Sequence, residues 1–257
     1  MADESIIEVK SLTVGYGKSP LLENLNFEVR RGEIFGILGN SGSGKSTVLK
    51  HLIGLFRPMA GTVTVFGNDL NTADESRRRE IMSRFGVTYQ GGALFGSMTL
   101  RENVALPLEE FTELSKPEIT EIAMEKLALV GLEQFADFLP SDISGGMMKR
   151  AGLARALALD PELLFFDEPS AGLDPIMSAE LDRLILSLRD DANATVVVVT
   201  HELPSIFSIT DRVIILDKTT RGIIDSGDPR ALRDHSEHPY VREFLTRGGM
   251  NGMNKLK

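Results

Sequence analysis

Gly39-Asn40-Ser41-Gly42-Ser43-Gly44-Lys45-Ser46 is the stretch on which the reading of this sequence turns. It matches G-x-x-x-x-G-K-[ST], a loop whose backbone N–H groups curl round phosphate oxygens. The flanks agree with that reading. A strand-type apolar run at residues 34–38 leads in, and a helix-type run at residues 45–53 leads out, closed by Gly54 and Pro58. A glycine-rich turn with an accidental lysine would lack this strand-to-helix setting. Lys45 is expected on the β- and γ-phosphates, Ser46 on Mg²⁺, and Thr47 where its N–H or hydroxyl reaches the α-phosphate. The expected ligands are therefore ATP and Mg²⁺.

A matching half lies downstream. Residues 163–166 are apolar and Asp167-Glu168 follow them. In open α/β sheets the C-terminal end of a strand faces the ligand. Asp167 is expected to hold Mg²⁺ through water, and Glu168 to accept a proton from the attacking water. Ser144-Gly145-Gly146 precedes a strongly helical run at residues 151–158. Ser144 would cap that helix, and the glycines would leave its N–H groups open to an anion. On its own this is an ordinary capped helix. Beside the first loop it makes a second phosphate site for a single pair of carboxylates. The economical reading is that Ser144 serves an ATP held by another subunit.

Working outward, the early segments alternate as strands: Ile7, Val9 and Ser11 against Glu8, Lys10 and Leu12, then Leu25, Phe27 and Val29. Residues 62–66 and 86–89 read as short strands, and 76–84 as a helix. Residues 99–158 read as almost wholly helical. Thr99 with Glu102 and Ser115 with Glu118 have capping-box spacing, Ile119, Ile122, Ala123, Leu127 and Val130 share a helical face, and Gly131 is the expected stop. The β-rich runs 163–166 and 195–200, with a helix at 176–188 between them, read as a resumed core of buried parallel strands. Residues 213–216 and 222–225 read as a closing hairpin.

Composition excludes several classes. With 257 residues the chain can bury one large core. It has no cysteine, so disulfides and thiolate chemistry are out. A net charge of −9 argues against a nucleic-acid surface, and the one basic cluster, Arg77-Arg78-Arg79, is neutralised by Asp74, Glu75 and Glu80. No apolar run approaches the ~20 residues of a membrane-spanning helix. Membrane contact is expected through a partner, from the side where the chain is made.

Taken together and in order, the phosphate loop, Ser144-Gly145-Gly146, Asp167-Glu168, residues 170–174 (SAGLD) and Val199-Thr200-His201 resemble the nucleotide-binding subunits of ABC transporters over nearly the full chain. The resemblance implies an α/β fold: a P-loop NTPase core of ABC type with an antiparallel β subdomain and an inserted helical subdomain. It sets the ABC ATPase domain at 1–246, with core 1–90 and 159–246 and helical subdomain at about 91–158, followed by a flexible tail at 247–257. It also implies roles. Tyr16 stacks on adenine, Gln90 touches Mg²⁺ and the attacking water, Asp174 lies in the loop crossing the dimer interface, and His201 contacts the γ-phosphate. Singly, Tyr16 would read as a loop aromatic, Gln90 as a surface amide and His201 as a strand-end histidine with a structural partner.

One residue departs from the family pattern. Met147 stands where the signature usually carries glutamine. Residues 144–156, residues 93–99, Glu102-Asn103-Val104-Ala105 and Asp174-Pro175 resemble the Mla/Mce-associated ATPases, which move phospholipids or other hydrophobic molecules across the bacterial envelope. That branch implies a homodimer on the cytoplasmic face of the inner membrane, bound to permease subunits, an Mce-type lipid-binding subunit and a STAS-domain subunit. The alternatives within transport are a small-solute importer and a lipoprotein-release complex. Outside it stand a soluble ABC ATPase and a nucleotide-binding regulator. The first would need coiled-coil insertions or a second cassette, and the second fits poorly with Glu168 and His201 both present.

Overall fold

The computed structural model describes residues 4–250. The described residues form two compact units, one running to Ala73 and resuming at Asp174, the other Asp74–Leu173. The first opens with β1 (Ser5–Tyr16), β2 (Ser19–Arg30), β3 (Ile34–Leu38), α1 (Lys45–Leu52), β4 (Ala60–Val65) and β5 (Asn68–Asp69). The second holds α2 (Glu75–Met82), β6 (Phe85–Thr88), α3 (Leu100–Phe111), α4 (Lys116–Leu129), α5 (Gly145–Ala156) and β7 (Leu163–Asp167). The chain then returns to the first with α6 (Pro175–Ala192), β8 (Thr195–Val199), α7 (Leu203–Ile209), β9 (Arg212–Asp217), β10 (Gly222–Gly227), α8 (Pro229–His235) and α9 (Pro239–Met250). The expected tail at 247–257 thus begins inside α9, and residues 251–257 lie outside the described residues.

In the first unit β2-β1-β4-β5 make an antiparallel sheet, and β10-β9-β3-β8 run side by side. β3 pairs in parallel with β8 (Ile34↔Val196 to Ile37↔Val199) and with β9. Both β3 and β8 are buried at every position, which is why they read as continuous apolar runs. β1 departs from its expected alternation. Ser11 has φ 47°, and the β1–β2 register shifts between Val9 and Leu12. This bulge reverses the alternation, so Ile7 and Val9 are buried before it and Leu12 and Val14 after it.

Three helices of this unit escaped the pattern reading. α7, α8 and α9 are short and each begins near a proline: Pro204, Pro229, Pro239. Helices this short are marginal alone. Val241 and Leu245 of α9 and Leu232 of α8 are buried with Leu203 and Ile206 of α7, and each such side chain contributes about 1.5–3 kcal/mol.

In the second unit β6 and β7 pair in parallel, Phe85↔Leu163 to Thr88↔Phe166. Both capping boxes form as expected. Glu102 accepts from the Thr99 N–H at 2.7 Å, and Glu118 from the Ser115 N–H at 2.8 Å. Gly131, at φ 68°, ends α4, and the Leu132 N–H closes back on the Leu127 carbonyl at 2.8 Å. Among the described residues no helix is long and apolar enough to cross a membrane.

Candidate nucleotide site

The loop of residues 39–44 joins the buried end of β3 to α1 in the first unit. Gly39 is forced by its surroundings: at φ 147°, a Cβ there would lie 2.5 Å from both the Leu216 carbonyl oxygen and Ser43 Oγ. Gly44 precedes α1 at φ 99°, and no side chain caps the helix or places an acid in its first turn. The N–H groups at this end keep their positive field. Lys45 is buried and folds back over the loop, donating to the carbonyls of Gly39 (2.9 Å) and Asn40 (3.3 Å). The Ser43 N–H donates to Asn40 O at 3.0 Å, and Ser43 Oγ is buried without a hydrogen-bond partner. Ser41 and Gly42 are exposed at the tip. A helix N-terminus without a side-chain cap, a buried ammonium and an unpartnered hydroxyl fit an anion of several oxygens, and no carboxylate interrupts the loop.

Tyr16 ends β1 and is 57% exposed as a residue, yet its hydroxyl is paired with Thr47 Oγ1 at 2.9 Å. Its ring meets Phe56 edge-on at 6.1 Å, and Phe56 meets the buried His51 edge-on at 5.8 Å. His51 Nδ1 lies 2.7 Å from the Thr47 carbonyl, and burial pushes the imidazole below its ordinary pKa. The aromatic expected over adenine is therefore held from the side by the same helix that carries the loop. His51 and Phe56 were missed because neither belongs to a phosphate motif.

His201 follows β8 and is exposed, with Nε2 4.0 Å from the Glu202 carboxylate. Asp174 caps α6, its carboxylate accepting from the N–H groups of Ile176 (3.0 Å) and Met177 (3.1 Å). The neighbouring Ile176 is 72% exposed.

The second unit gathers the remaining candidates around α5. Asp167 ends β7 and Glu168 follows it, both buried. Glu168 has φ 51°, a left-handed conformation that costs a non-glycine residue about 1–2 kcal/mol. Such strain persists only where the surroundings over-determine it. Ser144 caps α5 as expected, accepting from the Met147 N–H at 3.3 Å. Ser144 and Gly145 are exposed, while Gly146 and Met147 are half-buried. Gln90 is exposed in the turn after β6, which ends one residue earlier than expected.

The segment after Gln90 is pinned by α5. Arg155 donates to the carbonyls of Gly92 and Ala93, each at 2.9 Å. Gly152 lies against it so closely that a Cβ would stand 2.8 Å from Gly92 Cα. Buried Asn103 fixes the next stretch, donating to Phe95 O (3.1 Å), Met98 O (3.1 Å) and Thr99 O (3.0 Å) and accepting from the Phe95 N–H (2.8 Å). Asn103 fell inside a stretch singled out by resemblance. Arg155 also fell inside such a stretch, residues 144–156, but its role was unmarked, since its partners are backbone carbonyls.

The ABC transporter family matches residues 22–171. This chain belongs to the ABC transporter family. It is similar to the "Probable ribonucleotide transport ATP-binding protein mkl" of Mycobacterium leprae, 44% identical over 98% of this chain and 72% of the relative. It is also similar to the intermembrane phospholipid transport system ATP-binding protein MlaF of Haemophilus influenzae, 38% identical over 95% of this chain and 99% of that protein. Among solved structures, the dimeric ATP-binding cassette MJ0796 in a post-hydrolysis state with ADP and Pi superposes with a TM-score of 0.80. It is 31% identical and covers 86% of this chain and 98% of that one. The chain is the ATP-binding, ATP-hydrolysing subunit of an ABC transporter, with the expected α/β cassette fold, and the relatives include the Mla branch that the signature resembles.

In this ABC ATPase the departure at Met147 falls in the first turn of α5. Its backbone N–H closes the cap, a contact any residue but proline supplies. Met147→Gln is expected to keep turnover within about twofold of the parent, as a substitution outside the core usually does. Steady-state ATPase assays of the transporter complex check this, and a large loss would mean that the methionine packs against a partner specific to this branch.

Proposed function

We propose that two copies of this chain close face to face around two ATP molecules and drive a membrane permease that moves phospholipid or another hydrophobic molecule across the bacterial envelope. The observation that carries the two-copy reading is the pair of helix N-termini that follow anion-binding motifs, of which the α5 end is exposed. α1 follows the lysine loop and α5 follows Ser144, yet among the described residues one carboxylate pair, Asp167-Glu168, stands at a strand end. Each α5 would then complete the partner's site. The exposed Ile176 beside Asp174 suits a surface that a second copy covers.

Residues 39–47 hold the phosphates, with Lys45 opposing their charge, and Tyr16 carries the base. Ser144, Gly145 and Gly146 of the other copy bind the γ-phosphate, and Asp174 lies at the crossing between copies. Ser46, Gln90 and Asp167 would hold Mg²⁺, which draws electron density from the phosphates when bound. Glu168 takes the proton of the attacking water, and His201 touches the γ-phosphate. Residues 1–90 and 159–246 act as the ATPase core, and the helical subdomain at about 91–158 passes motion to the permease. The chain works peripherally on the cytoplasmic face of the inner membrane, with an Mce-type and a STAS-domain subunit as further partners and no nucleic acid.

The lipid reading is supported by the likeness to MlaF over nearly the whole of both chains, and the name of mkl gives the rival cargo, ribonucleotides. The test is to purify the complex from membranes through this chain and analyse its contents by mass spectrometry. Permease subunits with phospholipid above the detergent background are expected. A complex that binds ribonucleotide or another small solute through a soluble binding protein, with no lipid enrichment, would overturn the lipid reading and leave the ATPase reading intact.

A further inference from the structure

Lys149 sits on α5 about 7–8 Å along the helix axis from the Ser144 cap. Its half-buried ammonium turns inward to the backbone beyond β7. Nζ donates to the Ala171 carbonyl and reaches the Pro169 carbonyl oxygen at 3.5 Å. Those carbonyls belong to the turn that starts at Glu168. The Ala171 N–H closes on Glu168 O at 3.3 Å, and the Leu173 N–H on Ser170 O at 3.0 Å. Burial pulls the Lys149 pKa below the ordinary lysine value, and the charge of Glu168 partly opposes that. A lysine stem loses much rotamer freedom when held, so a lysine placed here fixes the turn at a cost that only defined contacts offset.

We propose that Lys149 is a positioning residue that couples the two ATP sites of the dimer. Resting on the face-to-face reading, the argument is geometric. The N-terminus of α5 meets the partner's ATP, whereas Glu168 acts on the ATP of its own chain. Within one chain, Lys149 joins that helix to that carboxylate's turn. A short stretch of rigid helix followed by a charged tether transmits displacement at Ser144 to Glu168. Occupation of one site thereby sets the proton acceptor of the other.

The test uses the permease-bound complex with Lys149→Met, which keeps the stem and removes the charge, and with Lys149→Arg, which keeps the charge. ATPase rate is measured against ATP concentration, and binding of a fluorescent ATP analogue to the isolated chain is measured separately. Lys149→Met is expected to lower kcat about tenfold, a normal coupling energy for residues in contact, and to bring the Hill coefficient from near 2 to about 1. Analogue affinity is expected to stay within about twofold, and arginine to restore most of both losses. Should the methionine chain fail to fold, Lys149→Ala is the second neutral variant, with the best helix propensity.

Wild-type kcat and cooperativity in the neutral variants would overturn the proposal. So would a lower kcat with an unchanged Hill coefficient, or a parent complex that shows no cooperativity. Ser144→Arg, run alongside, separates the two levels: normal turnover there sinks the face-to-face reading. An inactive Ser144→Arg beside a fully active Lys149→Met sinks only the role of Lys149.

Discussion

Glu168→Gln is expected to bind ATP normally and to lose about 10²- to 10⁴-fold in turnover, the range that a positioned general base contributes. The amide has the shape of the carboxylate but cannot take a proton. The fold should tolerate it, because Glu168 is buried and a neutral group is easier to bury than a charged one. Glutamine also meets the left-handed backbone at φ 51° with the same Cβ that glutamate already carries there. With the chemical step blocked and binding intact, the ATP-bound dimer should persist. Size-exclusion chromatography with ATP and Mg²⁺ should show a dimer peak that the parent loses as it hydrolyses. Free hydrolysis by this variant would remove Glu168 from the role of base.

Lys45→Ala is expected to cost about 10²- to 10³-fold in ATP hydrolysis, comparable to losing a preorganised donor at a developing charge. The ammonium is buried and bonded to the carbonyls of Gly39 and Asn40, so its loss also leaves those acceptors short of a donor. Ser144→Arg should be as damaging by another route, since a long side chain would fill the space at the exposed N-terminus of α5. In the face-to-face dimer the two lesions lie at opposite halves of each site. A mixed dimer then has one site with both residues intact and one with both altered. Equal mixing of exchangeable chains makes half of the dimers mixed, so activity should return to about a quarter of the parent if one site fires alone. Differently tagged chains identify the mixed dimers, and the ATPase rate against mixing ratio is the measurement. Recovery is not required if the sites fire only together. The decisive result is a Ser144→Arg homodimer with normal turnover, which would end the claim that Ser144 completes the partner's site.

The sequence by itself determined whatever is decided within a turn or two of chain. The loop at 39–46 is recognisable because glycine, lysine and serine must stand at set spacings between a buried strand and a helix. The caps at Thr99, Ser115 and Ser144 are legible because a cap reaches only three residues ahead. The start of α8 carries the same kind of local signal, Asp228 as cap and Pro229 in first position, yet the helix went unread because seven residues are too few to show a helical period. The tertiary structure decided the rest. Ser11 takes a left-handed bulge because β1 must pair on both sides while its buried face changes parity, a demand made by β2 and β4. α9 stands because Val241 and Leu245 find a core built by α7, α8 and β9. Glu168 keeps its strained backbone within a turn held from α5, 22 positions from Lys149 to Ala171. Lys149 and Arg155 do their work on carbonyl oxygens. Every residue carries one, so no pattern of side chains could have named these partners before the fold brought them together.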